Sequence, residues 1–559
     1  MISFDKNKAR NSTNAIKRLY ITMQYLITRG NYKPMGNSGE AIRAALLELS
    51  PEIYGSIAEE KNEIDGLKYI LDRLPDGIHQ CNHINLTSDE GFSHTHYKAI
   101  IPAKRRRNCY RIDPEQMNIE ITRGRSDIYD ILTHLTFLYI EADKLLQRIL
   151  TTNEHVLNRD WIKIEAIIGK KKLSQMELEN TLIHLASLLG RTYTEVEEAY
   201  RYFATKEAPY KFIEIIYGMG KLALEEQLHK SPRIIRFSPL LRERLGHHIY
   251  GEKWANTIKD RLIKKKLIDR PIHLISANMH SVMNALFAQK ALKNDSSATN
   301  SLSIYEALSD PKNDTLRAKV MTYASANGME FINDQSGANI DVQLFDMAFC
   351  NEEACSYYSP KELHQAPVLI VMDYAFGEQA FETIDEFLKP IDYNNQAHYL
   401  NMQSISIMGK AGILEGKKGD IMIPNAHIFE GTADNYPFKN ALKASDFENC
   451  GLGVLEGSMV SVLGTSLQNK ELLTYFKHSS WNVVGIEMEG VHYQKAIQAA
   501  SKIRRNIKDD ITVRYAYYAS DNPIETGSTL ASGGLGNTGV KPTYLITEKI
   551  LEQLFDKNN

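Results

Sequence analysis

From Ile272 onward the chain carries seven short apolar runs, each closing in small or polar residues. They read "IHLISA" (272–277), "APVLIVMDYAFG" (366–377), "SISIMGKAG" (404–412), "GDIMIPNA" (419–426), "GSMVSVLG" (457–464), "NVVGIEMEG" (482–490) and "TVRYAYYASD" (512–521). Runs this short and this apolar are the mark of strands buried on both faces, and helical patterns such as "EQAFETIDEFL" separate several of them. The alternation predicts an α/β domain over residues 266–559, with a largely parallel, twisted sheet flanked by helices. No internal repeat is visible. The segment 292–314, rich in Ser, Asn and Asp, reads as a mobile loop or insertion.

A chain of 559 residues exceeds one hydrophobic core, and residues 1–265 have a different texture. They read as a mainly α-helical N-terminal domain. Ser174 with Glu177, and Thr194 with Glu197, have the spacing of capping boxes, and Gly190 stops the first of these helices. The longest apolar periodicity runs from Ser126 to Leu150, and residues 75–125 form a less regular insert. The basic stretch "RLIKKKLIDRP", ending at Pro271, marks the change of texture.

Charge narrows the function classes. With 66 Lys and Arg against 69 Asp and Glu, the formal net charge is −3, and nothing in that balance favours nucleic acid or a membrane surface. No apolar run reaches transmembrane length and the first residues lack a signal-peptide core, so a cytoplasmic protein is expected. Five scattered cysteines fit reduced thiols better than a disulfide framework.

Three strand ends carry unusual groups: "GKAG" (409–412), "EMEG" (487–490) and "SDNP" (520–523). If the second is extended, Glu487 and Glu489 share one face and Met488 takes the other. Buried carboxylates need partners, and the bland reading is a helix N-terminus, where acids cap free N–H groups. Two acids after a buried strand also stand where ligands sit in α/β sheets.

In this order and with these spacings, "GKAGILEGKKGDIMIPNA", "VVGIEMEGVHYQKAI" and "YYASDNP" resemble the nucleoside phosphorylase and nucleosidase superfamily. Its hallmarks are a Gly-x-x-Gly turn before a Gly-Asp strand, a Glu-Met-Glu strand end and a Ser-Asp strand end. The resemblance covers roughly residues 270–555. Within the superfamily the chain is most similar to AMP nucleosidases, which also precede the catalytic domain with a longer one and place a basic group where Lys410 stands. The resemblance implies cleavage of the N-ribosidic bond of a purine nucleotide or nucleoside by an enzyme without cofactor or metal, assembled as a homo-oligomer. Asp521 would protonate the leaving purine, Glu489 would bind the ribose hydroxyls, Met488 would pack beneath the sugar and Glu487 would lie beside them. Gly409, Lys410, Gly412, Ser520, Asn522 and Asn278 would complete the substrate contacts.

The superfamily's thioadenosine hydrolases carry a glutamate soon after the first strand. Here "ISANMHSVMNAL" offers His280 as base or phosphate ligand, or as a polar residue satisfied in a loop. Hydrolysis, phosphorolysis and a nucleotide sensor that has lost turnover therefore remain distinct readings. Two arginine clusters, Arg105 and Arg107 with Arg123 and Arg125, suit the phosphate of a substrate or of a nucleotide effector, guanidinium forks being matched to it. His79, Cys81, His83, His94 and His96 could share one strand face as a zinc site, but they match no standard zinc spacing and read first as a solvated or hydrogen-bonded cluster. The Gly-rich stretch 527–539 reads as a flap after Asp521.

Overall fold

The structure is a computed structural model. It describes residues 5–150, 156–293, 300–351, 353–357, 365–432, 434–526 and 536–555. The chain is mixed α/β throughout, because its N-terminal half holds a sheet as well as helices. Strands β1 (Asn31–Tyr32), β2 (His83–Thr87), β3 (Cys109–Asp113), β4 (Gln116–Glu120) and β5 (Ile234–Phe237) pair in the order β1-β5-β2-β4-β3. The expected irregular insert is thus three of these strands. Each is five residues or fewer, with two or three apolar side chains, such as Ile84 and Leu86 or Met117 and Ile119, turned into the core. Such short alternations gain stability only from distant partners: β2 lies parallel to β5, some 150 residues on.

The helices of this half follow local signals. Ser174 caps Gln175–Leu189 in a complete capping box with Glu177, and Gly190 ends it at φ +64°. The next helix, Tyr193–Phe203, is capped by Thr192 with Glu195, two residues before the expected pair. The register is decided by burial, since Val196, Ala199 and Phe203 must face the core. The long helix Gly124–Ile149 is buried along most of its length.

All seven apolar runs become strands of a second, ten-stranded sheet. Its members are β6 (Ile272–Ser276), β7 (Met329–Ile332), β8 (Val342–Asp346), β9 (Val368–Met372), β12 (Met402–Ile413), β13 (Ile421–Phe429), β14 (Asn435–Pro437), β15 (Val454–Ser461), β16 (Val483–Glu487) and β17 (Thr512–Asp521). A small hairpin, β10 (Ile391–Tyr393) with β11 (Gln396–His398), stands apart. Parallel pairing joins β9, β6, β12 and β17, and separately β13, β15 and β16. Parallel ladders run through the middle of the sheet, and antiparallel pairings make it mixed. The last residues of β12 pair antiparallel with β16 and the first residues of β13 with β17, and β7, β8 and β14 add antiparallel edges. The pairings β12–β17–β13–β15–β16–β12 close a ring of five strands, which leaves none of them an open edge. Closure is tight at Gly485, where a Cβ would lie 2.7 Å from the Gly412 carbonyl oxygen.

Packing changes partners between Leu245 and Tyr250. Residues up to Leu245 share a core with Val460, Leu463, Leu467, Leu472 and Phe476, whereas Tyr250 and Trp254 pack with the second sheet. Asn469 ties the two halves by donating to Ser12 Oγ (2.8 Å) and the Leu49 carbonyl (2.7 Å). Part of the expected loop 292–314 is the helix Ser301–Ser309, capped by Asn300, with Ile304, Tyr305 and Leu308 buried. Its stability comes from Tyr305, which stacks on Tyr544 at 3.7 Å. Residues 294–299 lie outside the described residues. Among the described residues no helix is long and apolar enough to cross a membrane.

Candidate active site

The apolar residues that bury β16 set its last residue, Glu487, at the rim of the ring, and the helix Gly490–Gln498 starts three residues later. The chain must turn sharply: a Cβ at Gly490 would overlap the His427 imidazole at 2.3 Å. Glu487 is 4% exposed and fully engaged. One carboxylate oxygen accepts the Ser461 hydroxyl and the other accepts the backbone N–H groups of Glu489 and Gly490. Ser461 Oγ in turn accepts from Val491 N at 2.9 Å. Glu487 is therefore the helix cap of the bland reading. Burial lifts its pKa to about 7 against these hydrogen bonds.

Glu489 is placed differently. It is the first, non-helical residue of the turn, its side chain makes no cap, and Oε1 accepts from Gly377 N (3.0 Å). Burial, and then the Glu487 carboxylate, lift its pKa to about 8. Together with Met488 it lines a cavity of about 290 Å³, and Glu487 reaches the same wall.

The "GKAG" segment forms the opposite wall: Gly409, Lys410 and Gly412 all line the cavity. It is not a turn. All four residues lie inside β12, because β17 pairs along them and β16 takes over at Gly412, with a register shift between Ala411 and Gly412. Lys410 is exposed, and among the described residues it forms no ion pair. Ser520 also lines the cavity, and its hydroxyl bonds the Ala411 carbonyl (3.1 Å) and Asp521 Oδ1 (2.5 Å). Asp521 pairs with the cavity residue Gly412 through the sheet register but lies just off the lining. Among the described residues its buried Oδ2 has no hydrogen-bond partner, and burial raises its pKa against Ser520, Lys410 and Lys418.

Other expected contacts go elsewhere. Asn278 and His280 open the helix Met279–Ala291, where the Asn278 side chain accepts from His280 N (3.0 Å). They line a separate, larger cavity of about 780 Å³ with Arg317 and Tyr518, so the turn after β6 directs them away from Glu489. Burial lowers the His280 pKa. Asn522 caps the short helix that follows it, accepting from Ile524 N (3.2 Å) and donating to the Gly416 carbonyl (3.2 Å), so its amide is turned to main chain. Of the Gly-rich stretch, residues 527–535 lie outside the described residues.

The four arginines divide. Arg105 forks onto Asp130 (2.9 and 2.8 Å), and the 2% exposed Arg107 bonds Asp127 (2.8 Å) and Asp130 (2.5 Å). Burial alone would raise the Asp130 carboxyl, yet His134 and these guanidinium groups hold it well below the usual carboxylate range. Both arginines are spent inside the fold, since a buried guanidinium needs a carboxylate. Arg125 lines a third cavity between the halves. Arg123 alone of the four reaches the Glu489 cavity, with its guanidinium 5.0 Å from the Phe376 ring centre and Nε buried without a partner.

Sequence reasoning missed the aromatic wall. Tyr374 and Phe376 follow β9, and Tyr493, whose hydroxyl shares a 2.9 Å hydrogen bond with Ser276, and Tyr517 complete the lining. The available signal is "DYAFG" at 373–377, two aromatics at alternate positions just past a buried strand. The histidine-rich segment does not converge. His79 is buried beside Gln80, His83 bonds Asn82, and His94 and His96 are exposed. Among the described residues the group of donors close enough to share an ion is His248, Asp385 and Glu386. Arg504 (2.7 Å) and Lys389 (2.5 Å) already neutralise those two carboxylates.

A closed ring of mixed strands, with carboxylates, cations and aromatics gathered where β9, β12, β16 and β17 end, defines an α/β protein with a cavity at its strand ends. The chain belongs to the family described as "Family of unknown function (DUF6909)", whose model matches residues 40–301 and 302–556. No curated protein matches it. Among solved structures, it is similar to futalosine hydrolase of Helicobacter pylori strain 26695, at 11% identity over 51% of this chain and 99% of that chain with a TM-score of 0.30. The 5′-methylthioadenosine/S-adenosyl homocysteine nucleosidase of Campylobacter jejuni matches at 10% identity over 51% and 98%, TM-score 0.30. A methylthioadenosine phosphorylase from an antarctic soil metagenomic library matches at 10% identity over 52% and 89%, TM-score 0.29.

Proposed function

We propose that the Glu489 cavity binds a purine nucleotide or nucleoside and hydrolyses its N-ribosidic bond, as an AMP nucleosidase does. The observation that carries this reading is the contrast at "EMEG": Glu487 is used up as a cap, while Glu489 stands in the cavity wall beside Met488 and its side chain caps nothing. In its ionised form Glu489 can accept two ribose hydroxyls, and those bonds strengthen as positive charge grows on the anomeric carbon. Tyr374 and Phe376 offer apolar faces to base and sugar.

The departing purine needs a proton. Asp521 is the donor in this reading: among the described residues its Oδ2 has no partner, and burial raises its pKa, the direction a proton donor needs. As the C–N bond breaks, its electron pair goes to the base, Asp521 protonates a ring nitrogen, and water adds to the anomeric carbon. The proton that water sheds restores Asp521, so the cycle closes. Lys410 and Arg123 supply positive charge for a 5′-phosphate on the substrate.

A second reading, a protein that holds the ligand without turnover, is favoured by one observation. With Glu487 capped and His280 in another cavity, no described residue stands as base for the attacking water. One experiment separates the readings: incubate the protein with AMP and with adenosine, with and without orthophosphate, and follow base and ribose products by chromatography. Free base and ribose 5-phosphate from AMP without orthophosphate are expected. Ribose 1-phosphates formed only with orthophosphate would make it a phosphorylase, and binding without base release would make it a sensor.

A further inference from the structure

Between β9 and the helix Gln379–Phe387 the chain turns, and consecutive backbone N–H groups of that turn go to side chains of different elements. Phe376 N donates to Gln379 Oε1 (3.1 Å), on the helix itself. Gly377 N donates to Glu489 Oε1 (3.0 Å), and Glu378 N donates to Ser126 Oγ (2.9 Å). Ser126 belongs to the N-terminal half, in the first turn of the helix Gly124–Ile149. The turn that restrains Glu489 is thus itself held from the other half of the chain.

It needs that hold. Gly377 stands at φ +56°, and a glycine leaves such a conformation at little cost, so contacts must fix it. Glu378 is 9% exposed and its side chain makes no cap, so without Ser126 its N–H would lose its acceptor in the interior. Ser126, 5% exposed, also fills the space beside the glycine: a Cβ at Gly377 would lie 2.2 Å from Ser126 Oγ and 2.6 Å from Ser126 Cβ. The same Cβ would lie 3.9 Å from the Met488 carbonyl oxygen, so Ser126 and the "EMEG" segment meet at this one residue.

The two bonds are mechanically linked. Peptide units are planar, so only the φ and ψ of Gly377 separate the N–H that Glu489 accepts from the N–H that Ser126 accepts. Removing the second bond frees both angles, and the first N–H can then turn away. Glu489 would keep its place in the cavity wall and lose its fixed direction.

We propose that Ser126 is a positioning residue of the Glu489 cavity: its hydroxyl, supplied by the N-terminal half, fixes the turn whose Gly377 N–H aims Glu489 at a sugar diol. The inference rests on the reading that Glu489 receives the ribosyl hydroxyls, and not on whether the cavity turns its ligand over. Arg123, three residues earlier, lines the same cavity, so one short segment of the N-terminal half both walls the site and sets its carboxylate.

The test uses the full-length protein and a ligand that cannot be cleaved as an N-riboside. Formycin A, whose base and ribose are joined by a carbon–carbon bond, is titrated calorimetrically beside its 2′-deoxy form and adenine. Wild type should bind formycin A more tightly than the 2′-deoxy form. Ser126→Ala should narrow that ratio by about two- to tenfold, the worth of one neutral hydrogen bond, and leave adenine affinity unchanged. A role confined to stability would lower Tm and leave the ratio alone. Ser126→Cys, close in size and a weaker acceptor, should narrow the ratio by less, and it serves if Ser126→Ala fails to fold. A wild type that does not distinguish formycin A from its 2′-deoxy form overturns the ribosyl reading of Glu489 and this inference with it. A wild type that distinguishes them, with the same ratio in the folded variants, overturns this inference alone.

Discussion

The two halves of the chain handle charge in opposite ways. In the N-terminal half, Arg105 and Arg107 are locked onto Asp127 and Asp130 beneath the helix Gly124–Ile149. At the strand ends of the C-terminal half, among the described residues, Glu489 has no cation partner, Asp521 Oδ2 has no hydrogen bond and Lys410 has no ion pair. Both sets are dense in ionisable groups, so density does not distinguish scaffold from site. What distinguishes them is whether each charge has already met its partner within the fold. Arg123 is the exception, a residue of the first half left open to the cavity of the second.

The strongest way to break this contrast is to remove an open charge and find nothing. Asp521→Asn keeps shape but cannot give up a proton, so turnover should fall by about a hundred- to ten-thousandfold while ligand affinity stays near wild type. Base release measured beside a binding isotherm checks it, and equal turnover would return Asp521 to the scaffold. A locked charge should behave conversely. Arg107→Met strands Asp127 in the interior and should cost about 3 to 5 kcal/mol in denaturant unfolding. The surviving folded fraction should keep wild-type turnover, since Arg107 lies outside the Glu489 cavity.

Arg123→Ala sharpens the exception. Loss of one charge-assisted contact should weaken AMP by about ten- to a hundredfold and adenosine far less. The matching change at Arg105, tied to Asp130, should show no such preference. Should the two variants behave alike, the division of the arginines is wrong.

A smaller effect follows from the raised carboxyl of Glu489, whose pKa moves from 4.5 to about 8 on folding. Below pH 4.5 both states hold the proton. Between 4.5 and 8 only the folded state holds it, so this group makes stability fall as pH rises through that window, and above 8 the whole penalty is present. Glu489→Gln removes the penalty. Its Tm relative to wild type should be unchanged near pH 4.5 and higher by several degrees at pH 8 and above. A Tm difference that shrinks with pH would mean the carboxyl is not raised in the fold.

How much of this was legible depends on whether the cause was local. The seven strands of the second sheet are legible because burial on both faces leaves continuous apolar runs, and Glu489 stands out because two acids follow one of them. The closure of the ring is not, since it rests on two-residue antiparallel pairings between segments far apart in sequence. The same holds for β2, β4 and β5, whose short alternations look like helix or loop until their partners are known. Asn278 and His280 fit the pattern of site residues, yet the direction of one turn after β6 decides which cavity they enter. Arg107 and Arg123 are the same residue type, and only the positions of Asp127 and Asp130 tell them apart.

The smallest prediction tests how far even a local signal reaches. Thr192 and Thr194 both stand three residues before a glutamate, so the sequence offers two equivalent capping boxes, and the helix takes the first. Thr192 Oγ1 accepts from Glu195 N (3.3 Å), and the Glu195 carboxylate accepts from Thr192 N (2.8 Å). This start places Val196, Ala199 and Phe203 on the buried face, whereas a start at Thr194 would leave the first of them to fray. Thr192→Ala should therefore cost about 1 kcal/mol in denaturant unfolding, as lost N-caps do. Thr194→Ala, inside the first turn and exposed, should stay within about 0.5 kcal/mol of wild type. Equal losses from the two changes would mean that the helix end samples both boxes and that burial does not choose between them.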